Sequence, residues 1–582
     1  MYTLLWTLNY NCDIYDYELN VTDLKIMGDR IGMVDRISEL PDFIIHHIMS
    51  YLSTKEVAQT CVLSKRWNHL RTSFPILDFD QVYFLGDLAK HSMYTFSVRE
   101  KRRFCKRSVK FVGFVDASLL RFCELKVSMQ KFRLSMRLFD VEGITSLLDK
   151  WIELAVANEV QELDFNVETN GVSRYSLPAT IFSAKFVTTL KLSGCKLEQS
   201  SDTIRFHSLK KLALHSVHIG EQMVQKFISE CPLLEDLILS AIGFKRVCVS
   251  NAPKLKIVTI GDENNELESI EIVAPSLQQC TLTCLYKPCV IDLAGCPHLN
   301  SLKLVEVDIE IHDLISKIPL LEKLIIQDCD EITEIVFSSN RLKDLQILQC
   351  YNMNGINVDA PNLLSFSLEC EDILYCFSIN GSHRCSCKLK FIIKFDTEGD
   401  ILVLTWFNII KEEFLGVAHQ VKELSMSISI DKRISLDSFS LDEFRNCSLS
   451  LPREVENLII DVQEVPPSKY AALLDCLLWV CFPRILSIEL KQQKQSIKFI
   501  EVSHVLFYLQ LFYEKLINSD TKCCNSHIIK CWRHYLKGYK IESFVPYNDP
   551  KPLRVDNLMV ELPRLPEGTI RFQLEWCSFF TY

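Results

Sequence analysis

Few residues in this chain have the types and spacing that could do chemistry. Cys523, Cys524, His527, Cys531 and His534 lie close together, and Cys385 and Cys387 form a second near pair. Thiolate and imidazole are the ligands zinc favours, so such a group invites a metal reading. The spacings fit no standard finger, however, and 24 cysteines in 582 residues produce close pairs by chance. The cysteines are scattered through apolar segments without the short paired spacings of a secreted disulfide scaffold. They read as reduced, buried thiols, and the sequence assigns no metal and no cofactor. Gly-rich phosphate loops, a Gly-x-Ser-x-Gly turn and His-Glu-x-x-His are absent, and the scattered Ser, His and Asp residues offer no nucleophile–base pair. The reading is therefore of a non-catalytic protein, and the question becomes what it binds.

Charge narrows the answer. With 64 Lys and Arg against 74 Asp and Glu, the net charge is −10, so neither nucleic acid nor an anionic membrane is expected as a partner. Lys101-Arg102-Arg103, Lys106-Arg107 and Lys110 make one basic run, read as a solvated linker, with a nuclear-import signal as the other reading. No uninterrupted apolar stretch reaches the roughly 18 residues a membrane span needs. The first 26 residues lack a basic n-region and a long apolar core. Residues 1–34 are expected to be a disordered extension, of which 1–26 are dispensable or an over-long gene model, and the chain to be cytoplasmic, nuclear or both.

Two kinds of element follow. Between residues 35 and 80, Leu40, Ile44, Ile48 and Leu52 recur every four residues, with Ile45 and Met49 beside them: one broad helical stripe. Ser53 with Glu56 fits a capping box for a second helix carrying Val57, Ala58, Cys61 and Val62. Ser64 can cap a third bearing Trp67 and Leu70. Roughly 45 residues cannot cover so much hydrocarbon alone, so the surplus must dock on a larger body or a partner.

Further on the chain repeats. Leu-x-x-Leu-x-Leu, with apolar substitutes, starts at Leu234, Leu255, Leu277, Leu299, Leu321, Leu342 and Leu363, at steps of 21 or 22 residues. Most units open on a proline turn such as Cys231-Pro232, Ala252-Pro253 or Ala274-Pro275. Such a period marks a leucine-rich repeat. Leu-x-Leu sets both leucines on one face of a short strand, and stacked strands build a parallel sheet along one side of a solenoid. Units this short leave little room for a return-side helix. Looser copies lie upstream at Val160/Leu163/Phe165, Val187/Leu190/Leu192 and Leu209/Leu212/Leu214. Others lie downstream at Val421/Leu424/Met426, Val455/Leu458/Ile460 and Ile485/Ile488/Leu490. Residues 144–157 and 467–480 have helical periodicity.

The N-terminal helices resemble the F-box, the adaptor-binding module of cullin-type ubiquitin ligases. Leu40-Pro41-Asp42, Tyr51-Leu52-Ser53 and the run from Cys61 to Trp67 carry the resemblance, and the last looks like the plant form. Where plant members often have a second Trp, after Leu70, this chain has Arg71. Phe111-Val112, Phe114-Val115-Asp116, Leu119-Leu120, Phe132-Arg133-Leu134-Ser135 and Trp151-Ile152 also resemble plant F-box proteins with leucine-rich repeats. The stretch from Cys531 to Ile541 looks in part like their FBD module, with Leu536/Tyr539/Ile541 as its terminal strand; the prolines that follow depart from it.

The expected fold is α/β: an all-helical F-box, then a leucine-rich-repeat solenoid with a parallel sheet on one face. The expected division is 1–34 extension, 35–80 F-box, 81–157 helical linker and cap, 158–445 repeats, 446–545 FBD-like repeats and 546–582 Pro-containing segment. The resemblance implies a substrate receptor that binds a Skp-type adaptor, and through it a cullin. Leu40, Pro41, Ile44, Ile48, Leu52, Val62, Leu63 and Trp67 would supply the adaptor surface, some of them facing the module's own core instead. The strand alternation turns Ile238, Lys303, Val305, Ile325 and Leu348 outward, as apolar spots and a charge for a target protein. The other function class is a repeat scaffold or decoy acting outside ubiquitination.

Overall fold

Pro41 stands at the N-cap of the first helix, where its carbonyl accepts from the N–H groups of Ile44 and Ile45 at 3.0 and 3.1 Å. The helix, α1 (Asp42–Met49), carries Asp42 in its first turn, where a carboxylate offsets the exposed amides. The computed structural model describes residues 37, 39–52, 54–139, 143–169, 174–198, 204–262, 264–284, 289–370, 376–382, 385–393, 423–430, 453–461, 474–475, 477–478, 480–490, 513–514, 531–544, 551–552 and 568–577. The expected extension 1–34 and the expected cap Ser53 lie outside them. The described residues fall into two units, one running to Arg137 and including Ile144–Asp164, the other comprising Leu138–Gly143 and Phe165 onward.

In the first unit α2 (Thr54–Gln59) runs into a 3-10 turn over Thr60–Val62. Helix α3 (Lys65–Thr72) is capped as expected: the Ser64 hydroxyl accepts from the Trp67 N–H at 3.2 Å. Ile45, Met49, Val57, Trp67, Leu70 and Phe74 form the core, with Leu40, Leu52 and Ile76 packed against it. Strand β1 (Ile76–Asp80) pairs in parallel with β2 (Lys131–Leu138). The connection is a long helix, α4 (Val98–Glu124), opened by a complete Ser97/Glu100 capping box. Phe104, Phe111, Val115, Leu119 and Phe122 are its buried stripe. The basic run lies on this helix within the expected helical linker, with Lys101, Arg102, Arg103 and Lys106 exposed. Helix α5 (Thr145–Ala157) matches the expected 144–157. It is tied to α4 through Asp116, which accepts from Trp151 Nε1 at 3.0 Å and Lys150 Nζ at 2.9 Å.

The second unit is a stack of parallel strands. In chain order they are β3 (Thr189–Ser193), β4 (Lys211–His218), β5 (Asp236–Ile242), β6 (Ile257–Asp262), β7 (Gln279–Thr283), β8 (Ser301–Val305), β9 (Lys323–Gln327), β10 (Asp344–Leu348), β11 (Ser365–Cys370), β12 (Ser386–Ile393), β13 (Glu423–Ile430), β14 (Arg453–Asp461) and β15 (Cys481–Leu490). The register is residue for residue. Leu190, Leu212, Leu237, Val258, Cys280, Leu302, Leu324, Leu345, Phe366 and Cys387 form one continuous inward column. Every unit-opening leucine from Leu234 to Leu363 is buried behind it.

The return side of the central units is mostly extended. Arg246–Val249, Ser269–Ile272 and Val290–Asp292 make one small parallel sheet; Glu334–Ser338, Gly355–Asp359 and Cys376–Asn380 make another. Helix α6 (Glu221–Glu230) occupies the longer unit before Leu234. One 22-residue unit nevertheless holds a helix, α7 (Ile311–Ser316). Six helical residues span only about 9 Å, no more than a three-residue strand, so it fits.

Three expectations need correction. Cys385, Cys387 and Leu389 belong to a repeat that leucine spacing does not reveal, and all three are buried. Downstream, Leu458 sits beside Met426 and Leu486, not beside Leu424 and Ile488. A slip of two residues keeps the same face inward, so the pattern cannot show it. Finally, the strand over Leu536/Tyr539/Ile541 does not end a parallel array. This strand, β16 (Leu536–Phe544), pairs antiparallel with β17 (Gly568–Trp576), which itself pairs antiparallel with β15. The segment 546–582 thus supplies a sheet strand. Trp576 stacks on Phe482 at 4.4 Å between ring centres and donates to the Pro483 carbonyl at 2.7 Å. Of residues 467–480, 474–475, 477–478 and 480 are described, and they are helical as expected.

One glycine is required by geometry. Gly194 has φ +72°, and a Cβ there would lie 2.4 Å from the Val167 carbonyl oxygen. Gly194→Ala should destabilise the second unit by about 1–3 kcal/mol. A thermal unfolding curve superimposable on that of the unaltered chain would contradict the strain.

Candidate interaction surfaces

The helical module separates the candidate adaptor residues by depth. Trp67 is only 2% exposed and belongs to the core. Leu40 and Leu52 are half-buried against that core, and Ile44 is half-buried on α1. Pro41 and Ile48 are exposed. Val62 and Leu63 project furthest, 84% and 53% exposed, at the end of the 3-10 turn that follows α2. That turn ends the α-helical ladder before Val62, which is why two consecutive apolar residues reach solvent. Single exposed apolar side chains need no explanation, but adjacent ones can mark a binding surface.

Two further residues were not singled out by the four-residue stripe. Phe43 is 70% and Tyr51 77% exposed. They lie on either side of His47, four residues from each, and the Tyr51 ring meets His47 edge-on at 5.1 Å. A second stripe beside the first was the available signal: α1 carries more apolar surface than one core face needs. Arg66 fixes the start of α1 relative to α3 through an ion pair with Asp42 at 2.6 Å.

In the second unit, alternation turns one sheet face outward, and the candidate target residues all lie half-buried on it. Register brings four together. Lys303 is directly opposite Ile325, and Val305, Gln327 and Leu348 form the adjacent row. Ile238 is set apart, because Thr259 and Thr281 stand between it and Lys303 in the same row. Three strand spacings put it about 14 Å away. The face carries paired charges, not a field of one sign: Lys323 meets Asp344 at 2.9 Å, and Lys211 meets Asp236.

Among the described residues the metal candidates do not come together. Cys385 and Cys387 are core residues of their repeat, and burial pushes the Cys385 thiol up to about 11. Cys531 is buried as well, while Cys523, Cys524 and His527 lie outside the described residues. Among the described residues no group of His, Cys, Asp and Glu could hold a metal ion, and no helix is long and apolar enough to cross a membrane.

With this geometry in place, comparison with known proteins is decisive for the module. The F-box domain model matches residues 37–76, the three helices and their core. The leucine-rich-repeat model of FBD-associated F-box protein At5g56370 matches residues 148–291, and that of At1g61320/AtMIF1 matches 276–390. The chain thus carries an F-box match followed by leucine-rich-repeat matches. Its relatives in Arabidopsis thaliana include the putative F-box/LRR-repeat protein At5g41840, 32% identical over 35% of this chain and 37% of that one. F-box/LRR-repeat protein At3g59200 is 32% identical over 39% and 41%, and F-box/FBD/LRR-repeat protein At5g56420 is 30% identical over 40% and 50%. This chain therefore spans about half or less of the length of these relatives. A solved structure, the functional domain of InlJ from Listeria monocytogenes, covers 59% of this chain and 74% of its own at 13% identity and a TM-score of 0.22. So low a score carries no argument.

Proposed function

We propose that this chain is the substrate-recognition subunit of an SCF-type ubiquitin ligase. Its F-box docks a Skp-type adaptor, the adaptor joins it to a cullin, and the repeats hold a target protein. The observation that carries the proposal is the exposure of Val62 and Leu63, with Pro41 and Ile48, on a helical module whose core is already complete with Trp67 inside it. In this reading Leu40, Ile44 and Leu52 contribute their outer faces, and Trp67 supports the surface from beneath. The chain performs no bond chemistry. It raises the effective concentration of target lysines near a conjugating enzyme recruited by the cullin. Residues 446–545 would serve as the FBD-like end of the array, and the cytoplasm, the nucleus or both would be its place of action.

An adaptor pull-down from cells separates this from a repeat scaffold or decoy working outside ubiquitination. Recovery of a Skp-type adaptor with the intact chain supports the receptor, and its absence under conditions that recover a control F-box protein rejects it.

The target surface is proposed on the outward sheet face around Lys303, Val305, Ile325 and Leu348, with Ile238 as an outlying spot. Scattered apolar anchors in a polar surround suit a protein or peptide. Ile325→Glu with Leu348→Glu should lengthen target half-life at least threefold and leave adaptor recovery unchanged. Unaltered turnover in this variant and in Lys303→Glu would place recognition elsewhere.

A further inference from the structure

A cavity of about 490 Å³ lies inside the first unit, walled by α2, α3, β1 and α4. That volume is in the range of small-molecule sites, roughly 300–1,000 Å³. Much of its wall is apolar and aromatic: Met49, Val57, Phe74, Phe79, Phe114 and Phe122. Against this wall stand three cations, Arg71, Arg121 and Lys131. The one lining carboxylate, Asp78, is held by Arg133 at 3.1 Å. Positive charge in the cavity is therefore left uncompensated by the protein's own groups.

Arg71 shows this most clearly. Its Nη2 donates to Asn68 Oδ1 at 3.1 Å, but its Nε is buried and has no acceptor. Burial lowers the Arg71 pKa; Cys61 opposes it with a smaller effect, and the charge of Arg121 lowers it by less again. A guanidinium stays charged at any physiological pH, so the strain is relieved by an anion and not by losing a proton. Arg121 and Lys131 form no ion pair among the described residues. The buried, acceptor-less Nε of Arg71 is the group that an anion would complete, with Arg121 and Lys131 adding charge at the same wall.

We propose that this cavity binds a small amphipathic organic anion, an aromatic acid whose ring lies among the phenylalanines and whose acid group sits between Arg71 and Arg121. The walls come from the helical module and from α4 together, so occupancy would brace α2 and α3 against α4. Neither the adaptor surface nor the target face contributes the charged residues, so this site stands or falls independently of the proposed receptor role.

The test is isothermal titration of the full chain with naphthalene-2-sulfonate and with its neutral isostere naphthalene-2-sulfonamide. The expected result is one site per chain, with the sulfonate bound at least tenfold more tightly than the sulfonamide. Arg121→Gln should erase that preference. Ala117→Phe, which projects a ring from α4 into the cavity and leaves every cation in place, should weaken both probes at least tenfold. Residues 117 and 121 are both exposed, so these variants fold even if Arg71→Gln does not. Equal affinity for the two probes would overturn the proposal. So would sulfonate binding that is unaltered in both variants.

Discussion

Replacing Val62 and Leu63 together by aspartate is expected to weaken adaptor binding at least 100-fold and to leave the unfolding temperature of the chain unchanged. Both side chains are more than half exposed in the free chain, so neither holds the module together. In an adaptor complex they would be desolvated at the centre of the contact. Removing two apolar anchors there costs about 2 kcal/mol each, and carboxylates in their place add a desolvation penalty. At 1.4 kcal/mol per decade this exceeds a hundredfold loss. Trp67→Ala is a different experiment. It empties the core of the three helices, which typically costs 3–5 kcal/mol, and would abolish binding by unfolding the module. Undiminished adaptor recovery with the double aspartate variant would show that the surface lies elsewhere on the module.

A second large effect is expected in the repeats. Leu324 is fully buried, with Leu302 on one side and Leu345 on the other in the inward column. Leu324→Ala should destabilise the array by about 2–5 kcal/mol, because stacked neighbours on both sides cannot collapse into the space. Gln346→Ala, on the outward face of the next strand, should change stability by less than about 0.5 kcal/mol. The two variants differ in face and not in depth along the array, so urea midpoints that shift equally would contradict the assignment of inward and outward columns.

Much of this architecture was legible in the residues. Strand position followed from leucine spacing because every inward site in the central units must fill the same gap. The Leu-x-Leu pairs from Leu237 to Leu345 lie within their expected strands. Helix α3 was legible from Ser64, whose hydroxyl does cap Trp67. What failed did so for physical reasons. Cysteine fills a small core site as leucine fills a larger one, so the repeat at Cys387 escaped a pattern built on leucines, although its thiol was rightly read as buried. Alternation has a period of two and no direction, so neither the slip at Leu458 nor the antiparallel entry of β17 between β15 and β16 could be read from it.

The candidate surfaces were legible in composition and not in orientation. On α1 the apolar residues cover most of the circumference, and only the packing of α3 decides that Ile45 and Met49 turn inward while Phe43 and Ile48 do not. The cavity at Arg71 was beyond reach, because one wall comes from α4 and only the fold brings it against α2, α3 and β1.

The central claim is that the F-box of this chain joins it to a ubiquitin ligase. It is tested most directly by mixing the purified full-length chain with a Skp-type adaptor and a cullin and measuring mass by light scattering after size exclusion. A single species with one copy of each, lost with the Val62/Leu63 double aspartate variant, is the predicted result. A chain that elutes alone at its own mass, while a control F-box protein assembles, would contradict it.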